Sequence, residues 1–271
     1  MSTKVQSVDE LILQSPDRNN QAQFAEMWQI LNEVRAKIDK HFNLTLDASV
    51  HDLANYGTKD DTTKGHLTAW SGDGVDWLIH SYMGTPARSF SNMHLTVWLG
   101  PEIDAPHFGM ALGTIPDMFV YLDFIPRVDV TTDLEYLDRY YEPTNATFLE
   151  FEANPEFSPF VSRSLYMRQA QSRTSLCYKA EANATNIDLV RSAAHAKVDQ
   201  WLQMVAKAKP VPVEAQAALA QRDLLVRRTI AQRDPANVMG EIIFGKQLTD
   251  RLVGTLWGQN RASKRPGAWQ Q

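Results

Sequence analysis

The chain reads as an α/β protein, a three-layer α/β/α sandwich with a central antiparallel sheet, and three observations predict it. Apolar residues recur at three- and four-residue steps near the start and through the last third of the chain, the mark of amphipathic helices. Between them, from Leu46 to Phe124, short stretches alternate apolar with polar or small residues and are separated by breakers such as Ser71-Gly72-Asp73-Gly74 and Gly100-Pro101. No Gly-x-Gly-x-x-Gly or Gly-x-x-x-x-Gly-Lys-Ser/Thr loop occurs, so a Rossmann or P-loop site is unsupported. A sheet of alternating strands needs cover, and helices lying before and after it can supply both outer layers.

Taken in order, residues 1–20 are mostly polar and read as a flexible arm, ahead of one domain over 21–258. Phe24, Met27, Trp28, Leu31, Val34, Ile38 and Phe42 share one helical face. Val75 to Tyr82 and Met93 to Leu99 alternate as half-buried strands. Asp133 to Tyr141 reads as a short helix with an acidic start. Ser164 to Ala170 and Ser175 to Ala180 form a second hairpin candidate. Helices follow near 187–207 and again up to Arg233, where Pro235 lacks a backbone donor and restricts Asp234. A last helix spans Lys246 to Trp257, and 259–271 is a basic polar tail.

The segment from Asp104 to Phe124 carries the best lead to chemistry. Phe108, Met110 and Leu112 alternate with His107, Gly109 and Ala111; Met118, Val120, Leu122 and Phe124 alternate with Phe119, Tyr121 and Asp123. With a turn from Gly113 to Asp117 centred on Ile115, Leu112 faces Met118 and His107 faces Asp123. A slip of one residue would set the apolar row against the mixed row, so the parity is favoured. Gly109 and Ala111 opposite Phe119 and Tyr121 make a shallow slot for a planar ligand, with a proton-transferring pair at one end. A plain structural His-Asp hydrogen bond is the competing reading.

Other residues carry weaker signals. Asp234 either closes its helix by bonding its own backbone or points across a cleft toward the sheet. Arg222, Arg227, Arg228 and Arg233 could bind ligand carboxylates bidentately, dock an acidic protein or, the commoner case, form a solvated helix face. His80 and His94 lie in strand patterns without a second ligand at metal spacing and read as structural or surface residues. Cys177 is the only cysteine, which excludes a disulfide framework, a thiolate zinc site and a protein-ligated iron–sulfur cluster. With 271 residues, 44% of them hydrophobic, the chain can bury a large core, while a formal net charge of −5 argues against a nucleic-acid partner. No apolar run approaches the roughly 20 residues that span a bilayer. The first ten residues lack a signal core or a transit character, and the single cysteine suits a reducing cytosol.

At these residues the sequence resembles the red chlorophyll catabolite reductases, a branch of the ferredoxin-dependent bilin reductases. The resemblance is carried by Asp104-Ala-Pro-His-Phe108, Tyr121-Leu-Asp-Phe-Ile-Pro-Arg-Val-Asp129, Glu135-Tyr-Leu-Asp-Arg-Tyr-Tyr-Glu142, Ser162-Arg-Ser-Leu-Tyr-Met-Arg168 and Phe244-Gly245. It implies a sheet that floors a pocket for an open-chain tetrapyrrole such as red chlorophyll catabolite or biliverdin. It also implies no bound flavin, nicotinamide or metal, with electrons arriving singly from reduced ferredoxin. His107 and Asp123 match positions that project proton donors, and Asp234 resembles the C-terminal acid facing the substrate. Gly109, Ala111, Phe119, Tyr121, Arg127 and Arg233 are then expected around the substrate. Ferredoxin is expected to dock on Arg222, Arg227, Arg228, Lys246, Arg251 and the tail of a monomer or homodimer. Two departures stand out: plant members carry a glutamate in the strand where this chain has Ala111, which leaves substrate and regiochemistry open and makes a bilin carrier the alternative, and the start of the chain does not resemble the plastid transit segment of plant members, which implies a cytoplasmic, bacterial protein.

Overall fold

Helix α1 (Gln21–His41) forms where the periodicity predicts it and turns Met27, Ile30, Leu31, Val34 and Ile38 inward, all fully buried. The computed structural model describes residues 5–6, 17–85, 87 and 89–258. The expected basic tail and most of the expected N-terminal arm lie outside the described residues. Of that arm, strand β1 (Val5–Gln6) pairs in parallel with β10 (Val161–Ser162), apart from the main sheet. Asn20 donates to the carbonyls of Ser89 and Pro116.

The main sheet is antiparallel throughout. It comprises β2 (Leu44–Leu46), β3 (Tyr56–Gly57), β4 (Lys64–Gly72), β5 (Val75–Thr85), β6 (Phe90–Leu99), β7 (His107–Ile115), β8 (Asp117–Ile125), β9 (Ser158–Pro159) and β11 (Leu176–Ala180). The spatial order is β2-β4-β5-β6-β7-β8-β11-β9, with β3 pairing beside β2 on β4. The β7–β8 register differs from the expected one by two residues: Leu112 pairs with Val120, Gly109 with Asp123 and His107 with Ile125. The strands continue to Ile115 and Asp117 and leave Pro116 alone at the turn, so no five-residue loop forms. Parity survives, and each side chain keeps its expected face.

One face is the apolar one. Met93, Leu95, Val97, Phe108, Met110, Leu112, Met118, Val120, Leu122 and Phe124 are buried in one cluster with α1 and α5 (Ala184–Ala206). Burial of each such side chain contributes about 1.5–3 kcal/mol. From α5, Trp201 is fully buried and donates its indole N–H to the Pro106 carbonyl at 2.9 Å, which fixes the approach to β7.

Between β8 and β9 lie α2 (Leu134–Tyr140), capped by the Asp133 carboxylate on the Tyr136 N–H, and α3 (Asn145–Ala153). The second hairpin is not formed. Residues Leu165–Ala170 are helix α4, because Ser164 caps the Met167 N–H and Leu, Met, Arg, Gln and Ala are strong helix formers. Strand β11 pairs with β8 and β9 instead. Helices α6 (Val213–Arg233), α7 (Ala236–Phe244) and α8 (Lys246–Trp257), with α4, are the third layer, over the mixed face of the sheet. Among the described residues no helix is long and apolar enough to cross a membrane.

Candidate active site

The mixed face presents Asn92, His94 and Thr96 on β6, then Gly113, Ala111, Gly109 and His107 on β7, then Phe119, Tyr121, Asp123 and Ile125 on β8, with Lys179 and Cys177 on β11. Above it, the C-terminal helices leave a two-lobed slot. One lobe, of about 1220 Å³, runs over Ala111, Phe119 and Tyr121 to Lys179 and is walled by Met167, Ala170 and Gln171. The other, of about 930 Å³, lies between Tyr82 and Met83 on the sheet and α7 and α8. Both are open to solvent. Six residues border both lobes, and two of these are titratable: His94 from the floor and Asp234 from the end of α6.

Asp234 is half-buried, its Oδ1 accepting the Ala236 N–H at 2.9 Å as α6 gives way to α7. The two readings of Asp234 therefore both hold: it bonds its own backbone and it faces the slot. Burial raises its carboxyl above the ordinary range, which favours the protonated acid. His94 is half-buried and makes no hydrogen bond among the described residues; burial lowers its imidazole to about 4, so it is neutral near pH 7. It stands directly across the ladder from Ala111. Reading His94 as a structural or surface residue missed its place in the slot, since a lone histidine in a strand carries no sign of the helix end placed above it.

His107 and Asp123 share the predicted face but not the predicted pairing, and neither borders the slot. His107 is buried under Trp98, rings 4.7 Å apart, and its Nδ1 accepts the Leu99 N–H at 2.9 Å. The neutral ring therefore carries its proton on Nε2, which lies 3.2 Å from Asp223 Oδ1 in an electrostatic contact whose alignment falls short of a hydrogen bond. Burial, the larger influence, lowers His107 to about 4 against the pull of Asp223. Asp123 accepts from Tyr121 Oη at 3.1 Å, from the Ser172 N–H at 2.9 Å and from the Ser172 hydroxyl. It ties the loop after α4 to the sheet and holds Tyr121 in the slot wall.

Arg127 is corrected as well. Its guanidinium is buried, pairs with Asp223 Oδ2 at 2.6 Å and donates to the carbonyls of Gly100 and Ile103, so it joins α6 to the loop before β7 and does not meet a ligand. Asp223, unforeseen from the sequence, has its carboxyl held far below the ordinary range by His107 and Arg127 despite burial. Gly109 is no floor either: a Cβ there would stand 3.1 Å from Ile125 Cδ1 and 3.2 Å from Tyr121 Cε1, so those side chains occupy its space. Arg233 is exposed, with its guanidinium 4.8 Å from the centre of the Tyr166 ring and outside the slot. Ala111, Phe119 and Tyr121 do line it.

The expected docking set is dispersed. Arg227 is buried, paired with Asp76 at 2.7 Å and stacked over Trp98, so no partner can reach it. Arg222 donates to the carbonyls of Pro126 and Val128. Lys246 pairs with Asp250, and Arg251 with Asp52 and the Ser49 carbonyl. Arg228 is exposed on α6. Among the described residues no group of three His, Cys, Asp or Glu side chains is placed to hold a metal ion.

The family model described as "Red chlorophyll catabolite reductase (RCC reductase)" matches residues 24–257. The chain belongs to the red chlorophyll catabolite reductase family. Among its relatives in that family, red chlorophyll catabolite reductase 1, chloroplastic, of Oryza sativa subsp. japonica is 28% identical over 68% of this chain and 60% of the rice protein. The chain thus spans less than two thirds of the rice protein's length. The Hordeum vulgare red chlorophyll catabolite reductase is 25% identical over 67% of this chain and 96% of its own length. The chloroplastic protein of Arabidopsis thaliana is 25% identical over 74% and 69%. Tomato phytochromobilin synthase, solved in complex with biliverdin, superposes with a TM-score of 0.76 at 14% identity over 88% of this chain and 85% of that one, which shows a shared fold. The expectation of a cytoplasmic bacterial protein is corrected by the rice and Arabidopsis relatives, both of which are named chloroplastic.

Proposed function

We propose that this reductase-family protein reduces an open-chain tetrapyrrole lying flat in the two-lobed slot, with electrons delivered singly by reduced ferredoxin. The observation that carries the reading is the waist of the slot, where Asp234 from above and His94 from below are the titratable groups bordering both lobes. The names of the plant relatives and the biliverdin in the tomato structure support the same ligand class.

Reduction of one double bond consumes two electrons and two protons. Each added electron raises the basicity of the conjugated system, so an acid must lie beside it. Asp234, whose charge burial disfavours, holds the proton to be given, and the solvent-open slot lets it reload between electrons. His94, neutral, offers one N–H and one lone pair to orient the pigment. Phe119 and Tyr121 wall the slot with flat apolar surface, and Lys179, the one cationic side chain among the described lining residues, pairs with a pigment carboxylate. In this reading the chain needs no flavin, nicotinamide or metal of its own.

Binding without turnover is the second reading, favoured by apolar Ala111 beside His94. Mixing the chain anaerobically with biliverdin or red chlorophyll catabolite, then adding reduced ferredoxin, separates the two. A shift on binding followed by time-dependent bleaching of the pigment spectrum is expected. A shift alone would mark a carrier, and no shift with either pigment would reject both readings.

A further inference from the structure

A cationic surface of which the expected docking set held only Arg228 lies beside the slot. From Phe157 to Ala180 the chain carries Arg163, Arg168, Arg173 and Lys179 and no Asp or Glu, in a protein of formal net charge −5. Helix α4 sits in this stretch and packs on α6. The second half of α6 adds exposed Arg228 and Arg233, while its single carboxylate, Asp223, is buried among His107 and Arg127. Arg168 donates to the backbone carbonyls of Ser162 and Arg163, and Arg233 lies over the Tyr166 ring. Such contacts orient a guanidinium without cancelling its charge. Among these cations Leu165 is 61% exposed and Tyr166 43% exposed. Met167 and Ala170 of the same helix line the slot. One helix therefore separates an apolar spot with a cationic rim from the bound pigment.

We infer that this surface docks an acidic one-electron carrier protein, with Leu165 and Tyr166 at the centre of the contact and Arg168, Arg173 and Arg233 around them. The inference rests on the reading of the slot as a reductase site. An apolar centre anchors the complex, while the arginine rim steers encounter and fixes register. Each docking oxidises one carrier and adds one electron to the pigment. Two dockings and two protons, given by Asp234 and replaced from solvent, saturate one double bond. Helix α8 also borders the slot, but its Lys246 and Arg251 are paired with Asp250 and Asp52, so the arginine rim around α4 is the better match to an acidic carrier.

The test uses the full chain, a plant-type ferredoxin as probe and the double variant Arg168→Glu/Arg173→Glu. Oxidised ferredoxin titrated calorimetrically at low and high salt should bind the variant about tenfold or more weakly and with a shallower salt dependence. The ferredoxin KM in turnover should rise in parallel. Pigment affinity and the rate with dithionite and methyl viologen should stay at wild-type values, and Lys246→Glu/Arg251→Glu should leave ferredoxin affinity unchanged. Undiminished affinity in the first variant, an equal loss in the second, or no salt-dependent binding by the wild type would overturn the assignment. Failure of pigment to bind or to be reduced even by dithionite would instead overturn the slot reading, since ferredoxin affinity is measured without pigment.

Discussion

Replacing Asp234 by asparagine separates the helix-closing hydrogen bond of its carboxylate from the proton donation proposed for it. Its Oδ1 accepts the Ala236 N–H at 2.9 Å. Asparagine has an oxygen for the same bond, so the loss of about 1 kcal/mol that follows removal of a helix cap is avoided and the slot keeps its shape. The amide cannot release a proton. Turnover should therefore fall about 10²–10⁴-fold, with pigment affinity close to wild type. Stability should move the other way. Burial raises the Asp234 carboxyl pKa, so the folded chain holds this proton more tightly than the unfolded chain. The stabilisation is fully present below the unfolded carboxylate value of about 4 and is lost as pH rises through the folded one, at about 1.4 kcal/mol for each tenfold difference in proton affinity. Asparagine is neutral at every pH, so the variant should be the more stable protein at pH 8 and lose that advantage near pH 4. Urea midpoints at both pH values and anaerobic absorbance kinetics read the two effects. Wild-type turnover in the variant, or a stability difference that ignores pH, would refute the reasoning.

Further expectations follow from other buried groups. Asp223→Ala leaves the Arg127 guanidinium buried without its counter-charge and should destabilise by about 3–5 kcal/mol in urea unfolding; a loss under 1 kcal/mol would show that the cluster does not bind α6 to the sheet. Lys179→Met should raise KM about tenfold for a pigment with free carboxylates, corresponding to about 1.4 kcal/mol, without changing kcat. The dimethyl ester of the same pigment should not distinguish the variant from wild type. His80 stacks on Trp28 at 4.3 Å, and burial lowers its pKa to about 3, so its contribution to stability is complete above the unfolded value near 6.5 and is lost as pH falls toward 3. The stability of His80→Phe relative to wild type should then improve between pH 7 and 4; a constant difference would show that His80 is protonated in the fold.

The sequence made the layering readable because alternation and helical periodicity are local signals. The apolar rows of β7 and β8, the stripe of α1 and the stop at Pro235 all stand where those signals put them. The pairing of His107 with Asp123 went astray because it depended on the turn, where Pro116 permits a tighter reversal than a loop centred on Ile115. Asp223 and its two partners are brought together from α6, β7 and the end of β8, 96 positions separating Asp223 from Arg127, and no periodicity encodes such a contact. Helix α4 was misread because Leu165 and Met167 fit a strand of period two as readily as one turn of helix. Of the slot, Ala111, Phe119, Tyr121 and Asp234 were legible, the last through family resemblance, while His94 emerged only with the helices in place above it.

Strand β9, two residues long, ends one side of the sheet, and its second residue is Pro159. A proline offers no backbone hydrogen, and so short a border gives an incoming polypeptide little to zip onto. Two copies of this protein therefore cannot merge their sheets across that margin. Self-association, where it occurs there, has to use side-chain surface from the covering layers, which keeps concentrated protein from growing ribbon-like stacks through this border.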